Sequence, residues 1–180
     1  MLADVVVDLQ YGDCGKGKVT HYLCKERNYT HVIRYNGGCN AGHTIFHEGS
    51  KVVTHHIPAG AFFGIKYIIG PGCVLDIKKF FQEIDMLSDI IGPSVKNLIK
   101  VAKNTHIITE KHLAEDMTDK KIGTTKSGNG PAYRDKYSRI GIRAEDIDVL
   151  RPFLVDMYDE LYSEDDVRIL FEGAQGFSLD

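Results

Sequence analysis

A loop built to hold phosphate stands near the start of the chain. Gly12-Asp13-Cys14-Gly15-Lys16-Gly17-Lys18 satisfies G-x-x-x-x-G-K. In that pattern glycines let backbone amides turn onto phosphate oxygens, a helix N-terminus adds positive potential, and the final lysine adds a full charge. Val19 stands where such a loop normally carries the Ser or Thr that binds Mg²⁺. Either no metal is bound or another group supplies its oxygen, and Asp13, inside the loop, is the candidate. The competing reading is a Gly/Lys-rich surface turn. A β-branched run before the loop and a helical pattern after it speak for phosphate.

Three further segments could carry chemistry. In Asn36-Gly37-Gly38-Cys39-Asn40-Ala41-Gly42-His43-Thr44 the glycines allow backbone to approach a ligand closely. Asn40, His43 and Thr44 then offer an amide, an imidazole and a hydroxyl. His43 can act as a general acid near a phosphoryl or carbonyl oxygen, or merely bond backbone in a capped loop. Ile122-Gly123-Thr124-Thr125-Lys126-Ser127-Gly128-Asn129-Gly130-Pro131-Ala132-Tyr133 places adjacent hydroxyls before Gly-x-Gly, a donor set for an oxyanion. Asp135, Lys136 and Arg139 follow, and Arg139 suits a bidentate phosphate contact; a plain mobile loop is the alternative. Glu172-Gly173-Ala174-Gln175-Gly176 puts Gln175 where it can bond a base or amide edge. The other seven histidines, His21, His55 and His56 among them, read as structural or solvated.

These groups need a frame. Residues 5–9 read as a buried strand opening into the phosphate loop, and 16–27 as a helix with Val19, Tyr22 and Leu23 at helical spacing. Residues 31–35 form a second strand that leads into the Gly-rich 37–42. Residues 46–51 and 52–57 make a hairpin turning at Glu48-Gly49, and 67–69 a third strand closed by Gly70-Pro71-Gly72. Asp76 caps the clearest helix. Its Ile77, Phe80, Phe81, Ile84, Leu87 and Ile91 share one face, and Gly92-Pro93 stops it. Residues 106–109 read as a strand, 118–139 as a long functional loop, 150–161 as an amphipathic helix and 168–171 as a last buried strand. Strands alternating with helices predict an α/β fold, a mostly parallel sheet flanked by helices, of the P-loop NTPase kind.

Composition narrows the function. At 180 residues, with 43% hydrophobic and 26% charged residues, the chain is an ordinary globular domain. Its net charge of −3 argues against a nucleic-acid partner, which calls for a basic stripe. The longest apolar run, 57–65, holds Pro58 and two glycines and is far short of a membrane span. Asp4 stands where a signal peptide would be basic. Cys14, Cys24, Cys39 and Cys73 show no CxxC spacing and read as reduced thiols, as in the cytoplasm. The chain closes on Phe177-Ser178-Leu179-Asp180 straight after a strand and a Gly-rich turn. Residues 1–180 therefore read as a single nucleotide-binding domain and as the N-terminal part of a longer polypeptide.

Taken in order, these segments resemble the adenylosuccinate synthetases, ligases that join L-aspartate to IMP with GTP hydrolysis in purine synthesis. The resemblance rests on Gly12 to Lys18, Asn40-Ala41-Gly42-His43-Thr44, Ile122-Gly123-Thr124-Thr125, Gly130-Pro131-Ala132-Tyr133 and Phe171-Glu172-Gly173-Ala174-Gln175-Gly176. It implies that Asp13 is the general base on N1 of IMP and a Mg²⁺ ligand, with the Gly42 carbonyl completing the metal site. His43 would be the acid that assists γ-phosphoryl transfer to the oxygen at C6, and Lys18 would stabilise the transferring charge. GTP would be held by Gly12, Asp13, Cys14, Gly15, Lys16, Gly17, Lys18, Gly42, His43 and Thr44. The IMP site would be lined by Asp13, Cys14, Gly15, Lys16, Asn40, Ala41, Gly42, His43, Thr125 and Gln175. Arg139 would reach the IMP phosphate of a neighbouring subunit, which requires a homodimer.

Several positions depart from the family's pattern. It usually has Glu at Cys14 and His at Cys39, and its guanine-reading and aspartate-binding segments lie beyond residue 180. The stretch between Arg139 and Glu172 is short, like the compact archaeal or viral forms. A viral-type variant that ligates aspartate to dGMP usually replaces the acid at the position of Asp13 by a small residue, so Asp13 favours IMP. A regulatory P-loop NTPase is a rival that the 124–133 and 172–176 segments speak against, and a truncated nucleotide-binding module without catalysis is a third reading.

Overall fold

A computed structural model describes residues 1–118, 123–163 and 165–179. Strand β1 (Leu2–Val6) leads through the phosphate loop into helix α1 (Lys16–Glu26). Strand β2 (His31–Arg34) leads through the 36–42 turn into an antiparallel hairpin of β3 (His43–His47) and β4 (Ser50–Thr54). Then come β5 (Lys66–Ile69), β6 (Val74–Leu75), α2 (Ile77–Ile91), α3 (Val95–Leu98), β7 (Ile99–Ala102) and β8 (His106–Ile107). Helices α4 (Glu110–Thr118) and α5 (Asn129–Tyr137) pack on each other. Two 3₁₀ turns, β9 (Leu154–Val155), α6 (Met157–Tyr162) and β10 (Arg168–Glu172) complete the order before a last 3₁₀ turn.

The main sheet has six strands in the order β1-β10-β2-β5-β7-β9, and every pair is parallel. This is the expected α/β frame. β2 is buried throughout and β5 nearly so, as strands covered on both faces must be. On one face Val32, Tyr67, Ile69, Val101 and Leu170 meet Phe80, Ile84 and Leu87 of α2. On the other, Ile33, Ile68 and Ile169 meet Met157 and Leu161 of α6. The Asp76 cap on α2 is present, its carboxylate accepting from Lys79 N–H at 3.1 Å. The hairpin does turn at Glu48-Gly49, both left-handed, as tight two-residue turns require, but its strands are 43–47 and 50–54 rather than 46–51 and 52–57.

Four further readings need correction. The first strand spans Leu2–Val6 rather than 5–9, and it is not buried. It lies at a sheet edge, pairs among the described residues only with β10, and leaves Leu2 and Val5 exposed. The helix expected over 150–161 is broken, because Pro152 sits in a 3₁₀ turn and the chain then pairs with β7 as β9 before α6 starts behind its Asp156 cap. The long loop over 118–139 contains α5, which opens at Gly128 with Pro131 in its first turn; residues 119–122 of that loop lie outside the described residues. The 106–109 strand shrinks to two residues paired with β6.

The segment after β4 is held by one buried acid. Glu83 of α2 accepts N–H bonds from His55 at 2.8 Å, His56 at 3.0 Å and Ile57 at 3.0 Å. Burial raises the Glu83 carboxyl, but the His55 side chain, His56 and these N–H donors outweigh it and leave the pKa below the ordinary value. Beside it, burial lowers His56 from 6.5 to about 4, and its Nε2 accepts from Asp76 N–H at 3.2 Å. A histidine lowered on folding binds its proton better when unfolded, so stability falls as pH drops from about 6.5 toward 4. Glu83 acts in the same sense further down, its contribution being lost as pH falls through the carboxylate range. Urea unfolding between pH 7.5 and 4 should therefore show a loss of roughly 3 kcal/mol on the His56 account. His56→Gln should flatten the upper part of that slope, and Glu83→Gln only the part below about pH 4.5.

Candidate active site

The carboxyl ends of β1, β10 and β2 open onto a cavity of about 500 Å³. It is lined by Tyr11, Gly12, Asp13, Gly15, Lys16, Gly17, Lys18, Asn40, Ala41, Gly42, His43, Thr44, Thr125, Ala174, Gln175 and Gly176. Ligands of open parallel sheets sit at this end. A hollow of about 300 Å³ at the opposite end, lined by Leu2, Asp4, Arg27, Tyr29 and Arg168, brings together none of the expected site residues.

The phosphate loop is shaped from within. Gly15 caps α1 in a left-handed conformation, φ 82°, and no side chain occupies the first amides of the helix. Those donors and the positive end of the helix dipole are open to a ligand. Gly17 is required by contact, since a Cβ there would lie 2.7 Å from His43 Cβ. The two lysines differ. Lys16 is buried and donates to Asp8 Oδ2 at 2.9 Å, while Lys18 lines the cavity and is exposed. Asp8 also accepts from Gln10 N–H at 2.8 Å and Cys14 N–H at 3.4 Å. The Lys16 ammonium and the Gln10 N–H hold its carboxyl well below the usual carboxylate range. The Cys14 side chain is exposed and faces a separate shallow cavity with Val5, Val7 and Val19.

His43 opens β3 and is almost wholly buried. Its Nδ1 makes a short contact with Glu172 Oε1, at the end of β10. Glu172 also accepts from Arg34 Nη1 at 3.2 Å and from Ala59 N–H at 2.9 Å, and Arg34 Nη2 reaches the Ala41 carbonyl at 3.4 Å. Asn40 Oδ1 accepts from Asn129 Nδ2 at 2.5 Å. The turn that carries Gln175 is tied to β2 by Ala174 N–H donating to Asn36 Oδ1 at 2.9 Å.

Thr125 reaches the cavity because α4 anchors its loop. Asp116 accepts Gly128 N–H at 2.8 Å on its carboxylate and Lys126 Nζ at 3.0 Å on its carbonyl. Tyr133 Oη accepts from Gly37 N–H at 2.8 Å and lies 2.9 Å from the Gly72 carbonyl, which clamps α5 over the 36–42 turn. Asp135 is taken by His112 and Arg134, and Lys136 by the Pro71 carbonyl, so neither faces the cavity. Arg139 is exposed beyond the far end of α5, a helix about 13 Å long, and does not line the cavity. Ile122 lies outside the described residues.

The structure thus brings Asp13, Lys16, Lys18, Asn40, Gly42, His43, Thr44, Thr125 and Gln175 to one cavity and leaves the Cys14 side chain and Arg139 outside it. It also adds Asp8, Arg34, Asn129 and Glu172, which sequence reading gave no role. The available signal was a charged residue closing an apolar strand, at Arg34 after His-Val-Ile and at Glu172 after Ile-Leu-Phe. Such an array can bind a phosphate chain on amides and Lys18, and present an acid and a carboxylate to it. If Gly17 must stay bare for His43 to sit there, Gly17→Ala should cost about 1–3 kcal/mol in urea unfolding. It should also weaken triphosphate binding in calorimetry by more than that stability loss alone explains.

Similarity to known proteins agrees with this geometry. Residues 5–149 match the family model described as adenylosuccinate synthetase. The adenylosuccinate synthetase of Picrophilus torridus is 37% identical over 221 aligned residues, spanning 99% of this chain and 53% of that protein. That of Bacillus anthracis is 41% identical over 187, spanning all of this chain and 43% of its own. The chain spans about half the length of the curated relatives it matches. Among solved structures, fully ligated adenylosuccinate synthetase from Plasmodium falciparum superposes with a TM-score of 0.87 at 28% identity, covering 99% of this chain and 52% of that one. Cyanophage S-2L succinoaminodeoxyadenylate synthetase bound to dGMP and dATP gives 0.82 at 26%, covering 99% and 53%. With the family model matched over most of its length, and relatives more than a third identical across it, this chain belongs to the adenylosuccinate synthetase family.

Proposed function

We propose that this chain supplies the phosphate-binding and IMP-activating part of a synthetase that ligates L-aspartate to IMP with GTP hydrolysis, through a 6-phosphoryl intermediate. One observation carries the reading: Asp13, Lys18, Asn40, Gly42, His43, Thr125 and Gln175 come from four separate segments and line a single cavity at the carboxyl ends of parallel strands. The free thiols at Cys14, Cys24, Cys39 and Cys73 support a reducing, cytoplasmic setting. No helix among the described residues is long and apolar enough to cross a membrane.

The chemistry follows from the groups present. A carbonyl oxygen leaves poorly, so it is first phosphorylated. Asp13, exposed in the loop, takes the N1 proton and makes the oxygen at C6 more nucleophilic. The α1 amides and Lys18 hold the triphosphate and offset the charge that gathers as the γ-phosphoryl group moves. The bond from the γ-phosphorus to the oxygen of the departing GDP breaks as the one to the C6 oxygen forms, and His43 donates a proton toward the transferring group. The aspartate amine then displaces phosphate at C6, while Asn40, Thr125 and Gln175 hold the nucleotide.

The donor set suits Mg²⁺. The Asp13 carboxylate and the Gly42 carbonyl are hard oxygens on the same cavity. No cluster of three His, Cys, Asp or Glu stands among the described residues, and Mg²⁺ does not need one, taking one or two protein oxygens with phosphates and water. Asp13 and Gly42 would hold it, where it supplies charge neutralisation across the phosphate oxygens.

Arg139 belongs to a second site in this reading. Exposed and a helix length from its own cavity, it would reach the nucleotide phosphate in a partner copy of a homodimer. The likeness to the cyanophage enzyme, solved with dGMP and with dATP as its energy donor, supports a second reading in which dGMP replaces IMP and dATP replaces GTP.

In the intact synthetase, Asp13→Asn should keep triphosphate binding yet lose about 10²–10⁴ in turnover with IMP, aspartate and GTP. Near-normal turnover would remove Asp13 from the chemistry, and preference for dGMP in the parent enzyme would select the second reading. Arg139→Leu should raise the KM for IMP far more than that for GTP. Mixing it with Asp13→Asn should restore activity, because one site of each heterodimer then has both residues. No rescue, with subunit exchange shown by native mass spectrometry, would place the whole site within one chain.

A further inference from the structure

Glu172 ends β10 with no exposed surface, and three donors surround its carboxylate. His43 Nδ1 and Arg34 Nη1 meet Oε1, the latter at 3.2 Å, and Ala59 N–H meets Oε2 at 2.9 Å. Burial alone would push this carboxyl toward its neutral form, but the His43 bond, the Arg34 charge and the Ala59 N–H outweigh it and hold it ionised. An ionised carboxylate accepts and never donates. The proton of that bond therefore sits on His43 Nδ1, which leaves Nε2 as the ring nitrogen available to a ligand in the cavity that His43 lines.

Arg34 completes the arrangement. It is 2% exposed, pairs in register with Glu172 across β2 and β10, and extends Nη2 to the carbonyl of Ala41, two residues before His43. The same guanidinium thus neutralises Glu172 and holds the turn that delivers the imidazole. We propose that Glu172 is a positioning residue that acts through His43: seated by Arg34, it fixes the imidazole ring and its tautomer so that Nε2 meets the transferring phosphoryl group. An acid at Nε2 needs a proton there as well as on Nδ1, and Glu172 stands behind Nδ1 as the counter-charge to such a ring. This rests on the reading of His43 as the acid of the proposed reaction.

A double-mutant cycle in the intact synthetase tests it. His43→Asn should lower kcat by about 10²–10⁴. Glu172→Gln should lower it by about 10² or more, with the KM for GTP changed less than about three-fold. The two together should be no slower than His43→Asn by more than about three-fold, because Glu172 has nothing to position once the imidazole is gone. Losses that multiply, or full activity in Glu172→Gln, would overturn the proposal. If Glu172→Gln does not fold, Arg34→Lys keeps the charge but not the fork, and its loss should likewise vanish in the His43→Asn background. Ring ¹⁵N chemical shifts of His43 separate this idea from the functional reading. A proton on Nδ1 with unchanged turnover in His43→Asn would uphold the positioning and sink the acid role. A neutral ring protonated mainly on Nε2 would overturn the positioning whatever the turnover.

Discussion

An ion pair closes the middle of the sheet. Arg34 and Glu172 are register partners at the carboxyl ends of β2 and β10, and both are buried. Two charges taken out of water are a cost unless every remaining donor and acceptor is used, and breaking such a pair costs about 3–5 kcal/mol. Here both oxygens of Glu172 are used, one by Ala59 N–H and the other by His43 as well as Arg34, and Arg34 Nη2 takes the Ala41 carbonyl, while Arg34 Nε has no hydrogen-bond partner among the described residues. The pair therefore ties four pieces of chain to one point: two central strands, the start of the β3–β4 hairpin and the segment around Ala59. The phosphate loop depends on it at one remove, because Gly17 packs directly on the ring of His43.

What could be read from sequence was what is encoded locally. The phosphate loop needs glycines and lysines at fixed short spacing, so it shows itself within seven residues. The Glu48-Gly49 turn and the Asp76 cap are equally local. β2, β5 and β10 are short β-branched runs, and each reads correctly to within a residue at either end. β6, β8 and β9 have two residues each and exist only through their partners. Over 150–161 the apolar spacing is helical, yet Pro152 and pairing with β7 override it. Helix α5 carries almost no apolar stripe and is held by Asp116, His112 and Tyr133, contacts that no periodicity announces. Glu172 stands in a motif that the sequence shows, but its role does not, because its partners His43 and Arg34 lie 129 and 138 positions away along the chain.

β1 shows how position in the sheet governs a strand's appearance. Its sequence is at least as apolar as that of β2, but β2 sits between β10 and β5 while β1 has, among the described residues, a neighbour on one side only. Leu2, Val5 and, past the strand, Val7 and Leu9 are exposed in consequence. An uncovered apolar edge is a place where another strand can pair. The site end of β1 escapes this, because the chain leaves the ladder after Val6 and the Asp8 backbone carbonyl accepts Phe177 N–H at 2.9 Å, closing the loop over the sheet.

The charges around the cavity bear on what the site requires. Of the two loop lysines, Lys16 is already neutralised by Asp8, and Arg34 is neutralised by Glu172. Lys18 lines the cavity with no ion-pair partner among the described residues, and Asp13 faces it with the opposite sign. Against a nucleoside triphosphate, which brings several negative charges, the chain thus sets one unpaired lysine and the partial charge of a single helix N-terminus, about half a unit. Backbone amides can solvate phosphate oxygens but cannot neutralise them. In the proposed reaction a divalent cation would fill that deficit, and Asp13 and Gly42, which line the same cavity, would offer it hard oxygens. Asp8 therefore does two things in this loop. It preshapes the backbone through Gln10 and Cys14, and by occupying Lys16 it leaves Lys18 as the loop lysine without an ion-pair partner among the described residues, the one that the proposed function would set against a nucleotide's charge.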